Sequence, residues 1–185
     1  MSVVSTVVMA FTSFQRFERE QAIEIEPSRP MALIKITPEA EVPNIIIKDH
    51  KAFLNAIGMR ESSNRYHIVN KHGYMGKYQF GSKTLRSLGI KVSKKEFLSN
   101  PQMQEQAMHL LMRSNYKNLK KYIDKYDGKK IHGVKVTKSG IIAAAHLGGS
   151  GNVKKWFRRG LDFSDANGTK ITSYMKKFED YKLNL

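Results

Sequence analysis

The chain has 185 residues, of which 32 are Lys or Arg and 16 are Asp or Glu, and it contains no cysteine. The hydrophobic fraction of 41% is typical of a globular protein and excludes a wholly disordered chain. The lack of cysteine excludes disulfides, thiol nucleophiles and cysteine-ligated metal centres. A formal charge of +16 predicts a polyanionic partner, such as nucleic acid, anionic lipid or an anionic cell-wall polymer.

Charge and proline content divide the chain into two parts. Residues 49–185 hold 27 of the 32 bases but only 10 of the 16 acids, whereas residues 1–48 are nearly neutral. Four of the five prolines fall within 27–43. Because proline fixes the backbone angle φ and has no amide proton, this stretch is expected to be an extended linker. We therefore interpret residues 1–48 as an arm with a linker and residues 49–185 as the folded domain.

The arm begins with apolar residues spaced three and four apart. This spacing over residues 3–17 is typical of an amphipathic helix. An export signal is the alternative, but no base precedes the apolar residues, and Ser and Thr interrupt them. No run of 18 or more apolar residues occurs in the chain, so we expect no transmembrane segment.

The pattern after the linker is mainly helical, with one short hairpin. Residues 63–81 are rich in Gly, Asn and Tyr without a helical period, so we expect a loop or short hairpin there. Glycines at 148–151 are expected to end the helix that precedes them. The predicted elements, in chain order, are a helix at 50–61 capped by Asp49, a helix at 82–88, a short helix capped by Ser93 with Glu96, a long helix from Pro101 to about 124, a hairpin at 130–137, a helix at 140–147 capped by Ser139, and a helix at 172–181.

One carboxylate stands alone in the basic domain. Among residues 50–95 the only acid is Glu61, at the predicted C-terminal end of a helix. The negative end of the helix dipole lies there, so this carboxylate should be easier to protonate than a free one. Cleavage of a glycosidic bond needs such an acid, because the leaving oxygen must receive a proton. The alternative is an ion pair between Glu61 and Arg60, Arg65 or Lys77.

Three further segments follow Glu61-Ser62 in a recognisable order. They are Gly-Tyr-Met-Gly-Lys-Tyr-Gln at 73–79, Ala-Ala-His-Leu-Gly at 144–148, and Thr-Ser-Tyr-Met-Lys-Lys at 172–177. Over residues 53–181 the chain resembles the soluble lytic transglycosylases of the lysozyme-like superfamily, in which a Glu-Ser pair ends a helix and a Gly-x-Met-Gly-x-x-Gln segment follows. The resemblance implies a mainly α, lysozyme-like (α+β) domain that cleaves the β-1,4 MurNAc–GlcNAc bond of peptidoglycan without a cofactor or metal.

The resemblance also implies roles for individual residues. Glu61 is expected to be the general acid and then the base, and Tyr174 resembles the aromatic residue that reaches this carboxylate across the cleft. Ser62 and Gln79 resemble residues that orient the carboxylate or hold the sugar. The remaining candidates for substrate binding are Gly76, whose backbone would approach the glycan, Tyr78, one of three aromatic residues on the polar loop with Tyr66 and Tyr74, and His146.

The second segment departs from the family pattern Ala-Tyr-Asn-Ala-Gly. Ala145 and His146 stand where the family has tyrosine and asparagine. His146 is interpreted either as a replacement hydrogen-bond donor to the sugar or as a histidine satisfied within the core.

The number of catalytic acids separates two reactions. No second acid follows Glu61 in the glycine-rich loop, and a lone acid favours the lyase route, in which the muramic 6-hydroxyl attacks C1 and a 1,6-anhydro sugar forms. The alternative is a hydrolytic muramidase, which would need a second carboxylate from elsewhere in the chain. The candidates are Asp124, Asp127, Asp162 and Asp165.

Partners and location follow from the same interpretation. The expected substrate is the glycan strand of peptidoglycan at the bacterial cell wall or periplasm, and residues 1–48 would dock on phage virion proteins. A phage endolysin and an exported bacterial enzyme are the alternatives. A second function class is a non-enzymatic nucleic-acid-binding or structural module that uses lysine pairs and interleaved aromatic residues. His50, His67 and His72 lack the spacing of metal ligands, so no metal site is expected.

Overall fold

The computed structural model describes residues 47–185. The predicted amphipathic helix at 3–17 and the proline-rich linker lie outside these described residues. Within them, six helices and one antiparallel pair of short strands form the fold, with Lys130 opposite Lys135 in the strand pair. The elements are α1 (His50–Ser62), α2 (Ser82–Ser87), α3 (Lys94–Ser99), α4 (Pro101–Tyr126), β1 (Lys130–Ile131), β2 (Val134–Lys135), α5 (Lys138–Arg159) and α6 (Ile171–Lys177). The expectation of a mainly α domain with a small hairpin is confirmed.

Short polar side chains begin most of the helices. Asp49 accepts a hydrogen bond from the amide of Ala52 at 2.7 Å, which confirms it as the cap of α1. Ser93 likewise accepts from the amide of Glu96 at 3.1 Å and caps α3. The predicted cap of α5 is wrong, because Thr137, whose backbone is extended, accepts from the amide of Gly140 at 3.1 Å. Ser139 lies inside the first turn of α5, and its hydroxyl accepts from the amide of Tyr181 instead.

The glycines at 148–151 break α5 into two helical halves. Gly149 has φ 76° and ψ 155°, which interrupts the helical backbone for one residue, and the helix then continues to Arg159. The first half of α5 therefore ends where the sequence predicts, and the second half, which the sequence did not predict, runs on to Arg159. The physical reason lies beyond the glycines, where Val153, Trp156 and Phe157 are buried and hold the second half of α5 against the core.

The core forms around the first half of α5. Ile141, Ile142 and the three alanines that follow are buried, and this segment packs between α4 and α6. Small side chains at 143–145 let neighbouring helices approach closely. Helices α5 and α6 share this core with the C-terminal end of α1. Residues that lie far apart in the chain therefore meet at one place.

Residues 63–81 form a loop with isolated bridges, as expected. Met75 bridges both Val69 and Phe80, so the loop folds back on itself twice without forming a strand. Its start is a left-handed turn, with Ser63 at φ 55° and Asn64 at φ 59°. None of the helices within residues 47–185 is long and apolar enough to cross a membrane.

Candidate active site

Glu61 lies in the last turn of α1, where two cavities meet. One cavity has a volume of about 290 Å³ and the other about 490 Å³, and both are lined by Glu61, Asn70 and Gln79. The side chain of Glu61 is 16% exposed, so its carboxylate is largely withdrawn from bulk water and open to both cavities. This position allows a long polymer to pass the carboxylate on both sides.

Tyr174, from α6, contacts the Glu61 carboxylate directly. Its hydroxyl donates a hydrogen bond of 2.5 Å to Glu61 Oε1. Burial raises the pKa of Tyr174 well above its ordinary value, and the negative charge of Glu61 acts in the same direction, while Arg60 opposes both. Tyr174 therefore remains a proton-bearing donor to this carboxylate across the accessible pH range. The structure brings these two residues together, and the catalytic role of the pair stays a prediction.

His146, from α5, faces the same carboxylate oxygen. Its Nε2 atom lies 3.7 Å from Glu61 Oε1, and its side chain is 8% exposed. Burial lowers the pKa of His146, although the charge of Glu61 and the backbone of Tyr78 act in the opposite direction. The ring is therefore neutral near pH 7. A separation of 3.7 Å is too long for a direct hydrogen bond, so a water or a substrate hydroxyl is needed to connect the two groups.

Ser62 and Gln79 shape the site from the loop side. The buried hydroxyl of Ser62 donates to the carbonyl of Lys77 at 2.8 Å and accepts from the amide of Arg65 at 3.0 Å. Ser62 therefore ties the end of α1 to the glycine-rich loop. Gln79, at φ 51°, donates through its side-chain amide to the carbonyl of Gly76 at 2.9 Å and lines both cavities.

Gly76 and Tyr78 are both buried and neither lines the two cavities, so the structure does not support the substrate-binding roles expected for them. A Cβ atom on Gly76 would lie 2.0 Å from Oε1 of Gln104, so the glycine is required by packing against α4 and not by a glycan. Tyr78 is fully buried, and its hydroxyl donates to Glu105 Oε2 at 2.6 Å. Of the three loop tyrosines, Tyr74 lines the smaller cavity, and it is 46% exposed.

Glu105 organises a second carboxylate cluster that the sequence did not reveal. Its Oε1 accepts hydrogen bonds of 2.7 Å from the hydroxyl of Tyr66 and from the ammonium of Lys77. Its Oε2 accepts the hydrogen bond from Tyr78. Lys77 therefore pairs with Glu105 and not with Glu61. Within residues 47–185 no Arg or Lys nitrogen lies within 4.0 Å of the Glu61 carboxylate, so the expected alternative of an ion pair is not found there.

Of the four acids considered as second carboxylates, Asp165 alone lines the smaller cavity with Glu61. Its Oδ1 accepts from the amides of Asn167 at 2.9 Å and Thr169 at 2.7 Å, which fixes the carboxylate in a turn. The other three lie outside that cavity with partners of their own, namely Asp124 (Lys120 Nζ, 2.7 Å), Asp127 (the amide of Lys138, 2.8 Å) and Asp162 (Thr172 Oγ1, 2.6 Å).

Asn115, on α4, is a cavity residue that sequence reasoning missed. It is buried, lines the smaller cavity, and its side-chain nitrogen has no hydrogen-bond partner among the described residues. Buried donors of this kind are normally satisfied, so the site has an unused donor beside it. The available signal was its register, because Asn115 lies four residues from both Leu111 and Leu119 on the inward face of the helix.

Neither a metal site nor a known relative explains this arrangement. No group of three or more His, Asp or Glu side chains within residues 47–185 is arranged to hold a metal ion. Comparison of the chain with protein-family models, with curated proteins and with solved structures finds no match.

Proposed function

We propose that this protein cleaves the β-1,4 bond between MurNAc and GlcNAc in peptidoglycan, with Glu61 as general acid and base in a lysozyme-like domain. The observation that carries the proposal is a largely buried carboxylate that opens onto two cavities, accepts a hydrogen bond from Tyr174 and faces a neutral His146. A glycan strand lying along both cavities would place its glycosidic oxygen next to this carboxyl group.

Glu61 is the group that transfers the proton, because its two neighbours keep their protonation states. Tyr174 holds its proton because burial raises its pKa, and His146 remains neutral because burial lowers its pKa. In the bond-breaking step the proton of the Glu61 carboxyl group passes to the leaving oxygen as the C1–O4 bond breaks. The carboxylate that results is stabilised by the hydroxyl of Tyr174, whose hydrogen bond to a charged acceptor is of the strong kind.

The second step distinguishes the two reactions. In the lyase route the muramic 6-hydroxyl attacks C1, its proton returns to the Glu61 carboxylate, and a 1,6-anhydro end forms without water. This route uses Glu61 as its single acid and base, and it is the reaction that we favour.

A hydrolytic muramidase is the second candidate, and Asp165 is the observation in its favour. Asp165 lines the same cavity as Glu61, and its anchored Oδ1 leaves Oδ2 without a hydrogen-bond donor among the described residues. A water between the two carboxylates would attack C1 and give its proton to Asp165. The product then carries one additional water and has no anhydro end.

The test is digestion of purified peptidoglycan by the full chain, followed by mass spectrometry of the products in water enriched in ¹⁸O. We expect products with anhydro ends that contain no ¹⁸O, and we expect Asp165→Asn to form as much of them as the wild type does. Products that carry ¹⁸O, and that are lost in Asp165→Asn while Asp162→Asn retains them, would establish the hydrolase instead.

Two controls separate an enzyme from a basic binding module. Glu61→Gln should not clear a suspension of cell walls, whereas Glu96→Gln, an exposed acid on α3, should clear it at the wild-type rate. Salt-sensitive binding of DNA by a wild-type protein that does not cleave any wall preparation would favour the nucleic-acid-binding module. We propose that the protein acts on the bacterial cell wall, either as a component of a virion or as an exported enzyme.

A further inference from the structure

A third cavity, of about 400 Å³, lies beside the carboxylate site and has a basic lining. We call it the basic groove and define it by Arg60, Lys170 and Lys176, together with hydroxyl groups from Thr169, Thr172 and Ser173. No Asp or Glu from residues 47–185 belongs to its lining. It shares Arg60 with one cavity that Glu61 lines and Asn167 with the other, so the groove is continuous with the site.

The three cations of the basic groove have no acidic partner among the described residues. The salt bridges within residues 47–185 involve Lys77, Lys120, Lys135 and His146, and none of them involves a cation of this groove. All three groove cations are exposed. Like charges gathered around one concavity repel one another, and an anion bound between them relieves that repulsion while accepting hydrogen bonds. The lining therefore favours a small anionic group such as a carboxylate.

The position of the groove indicates which anion it receives. Arg60 and Glu61 line the same cavity, and Arg60 acts on Tyr174, which contacts Glu61, so an anion held by its guanidinium lies at the edge of the cavity that holds the bond-cleaving carboxyl group. An uncharged N-acetylated sugar has no negative charge that could pair with three cations. The peptide stem that branches from each muramic residue carries carboxylates, and a planar guanidinium binds a carboxylate through two hydrogen bonds.

We infer that the basic groove binds a stem-peptide carboxylate of the muramic residue next to the scissile bond. This inference rests on the proposed function and narrows its substrate to glycan strands that carry anionic peptides. The lysines act on substrate binding and not on the proton transfer at Glu61, so their loss changes KM and leaves kcat unchanged.

The kinetic test compares Lys170→Gln/Lys176→Gln with Lys94→Gln/Lys95→Gln in the full chain. Lys94 and Lys95 are exposed, begin α3 and line none of the three cavities, so this control removes the same charge elsewhere. On native peptidoglycan we expect the groove variant to raise KM about tenfold at unchanged kcat, and the control to stay near wild type. On peptidoglycan whose stem carboxylates have been converted to amides, wild type and groove variant should have the same KM.

A binding test keeps the outcome separate from that of the proposed function. Glu61→Gln, with and without the two groove substitutions, is sedimented with insoluble peptidoglycan that is native, amidated, or stripped of phosphate polymers by acid. We expect binding to fall on amidation and to survive phosphate removal, but only when the groove is intact. If this binding pattern is found but the wild-type protein cleaves no peptidoglycan, the assignment of the groove stands and the proposed enzymatic activity is refuted.

Three results overturn the inference. The first is an equal loss of binding in the groove variant and the Lys94/Lys95 control, which would mean general attraction by net charge. The second is a loss of binding on phosphate removal but not on amidation, which would assign the groove to a phosphate. The third is equal binding of native and amidated material by the intact groove.

Discussion

Two carboxylates of this protein, Glu61 and Glu105, are both bound by tyrosine hydroxyls, yet their surroundings differ. Glu105 accepts from two tyrosines and pairs with Lys77, whose side chain is 12% exposed, so both of its oxygens are occupied by protein groups. Among the described residues Glu61 accepts from Tyr174 only, and it faces a neutral His146 at 3.7 Å and lines two cavities. A carboxylate surrounded by protein donors stabilises a loop, and one with free capacity beside a cavity is available for chemistry.

The pKa directions of the neighbours support the same distinction. The pKa of Glu105 is lowered, because hydrogen bonds from Lys77, Tyr78 and Tyr66 outweigh its burial, so it remains ionised. Burial, reinforced by Glu105, raises the pKa of Tyr78 above its usual range, which keeps that hydroxyl a donor. The Glu105 cluster is therefore a fixed arrangement of charge that holds residues 66–78 against α4.

The largest effect should come from Glu61→Gln, which keeps the shape of the side chain and the hydrogen bond from Tyr174 but removes the transferable proton. We expect the rate of glycan cleavage to fall about 10²- to 10⁴-fold, the range typical of a lost general acid. The free energy of unfolding should change by no more than about 0.5 kcal/mol. Turbidity loss of a wall suspension and urea unfolding measure the two quantities, and cleavage at the wild-type rate would contradict the assignment.

Glu105→Gln should show the opposite division, with a loss of stability and little loss of chemistry. It removes charge-assisted hydrogen bonds and leaves Lys77 unpaired while half-buried, so we expect about 1.5–3 kcal/mol less unfolding free energy. Asp124→Asn, which breaks an exposed pair on α4, is the matched control and should leave the free energy of unfolding close to that of the wild type. If Glu105→Gln abolished cleavage in fully folded protein, the comparison between the two carboxylates would fail.

The sequence distinguished these two carboxylates only partly. Glu61 was visible because it is the single acid among residues 50–95 and ends a helix. Glu105 lies within a long helix between residues of mixed polarity, and nothing local to it indicates that Tyr66 and Tyr78, 39 and 27 positions earlier, bind it. Contacts over such separations are set by packing, which a pattern of neighbouring residues does not contain.

The same limit explains which elements were predicted correctly. Caps such as Asp49 and Ser93 are local interactions three residues long, so the sequence alone predicted them. The break in α5 was likewise predicted from four small residues at 148–151, whereas its second half was missed because the distant burial of Trp156 and Phe157 holds it. Tyr78 was misplaced for a similar reason, since an aromatic residue in a polar loop found its partner on α4.

Tyr174→Phe tests the hydroxyl that distinguishes the Glu61 site from an isolated carboxylate. Loss of a 2.5 Å hydrogen bond to the charged form should lower kcat by about tenfold, because the carboxylate that forms on proton transfer loses its donor. The free energy of unfolding should fall by about 1.5 kcal/mol, the contribution of one hydrogen bond, since the ring keeps its contacts with Phe178. Tyr66→Phe, which removes one donor from Glu105, is the control and should leave kcat unchanged. An equal loss of kcat in both variants would mean a general effect of packing.

The smallest predicted effect is on stability, to which His146 and Glu105 should contribute over different pH ranges. Burial lowers the pKa of His146 from its ordinary 6.5, so the unfolded chain binds more protons than the folded one as the pH falls below that value. The contribution of His146 to stability is thus present above pH 6.5 and is lost as the pH falls toward its lowered folded pKa. The pKa of Glu105 is lowered from 4.5, so its contribution is lost only at pH below 4.5.

Urea unfolding of wild type, His146→Gln and Glu105→Gln at a series of pH values measures these two windows. We expect His146→Gln to flatten the fall in stability just below pH 6.5, and Glu105→Gln to flatten the fall below pH 4.5. His50 contributes in the same window as His146, since burial and His109 lower its pKa too, so the difference between wild type and His146→Gln is the relevant quantity. An identical slope in that window for both would mean that folding does not lower the pKa of His146, and the ring would then take up a proton beside Glu61 as the pH falls below 6.5.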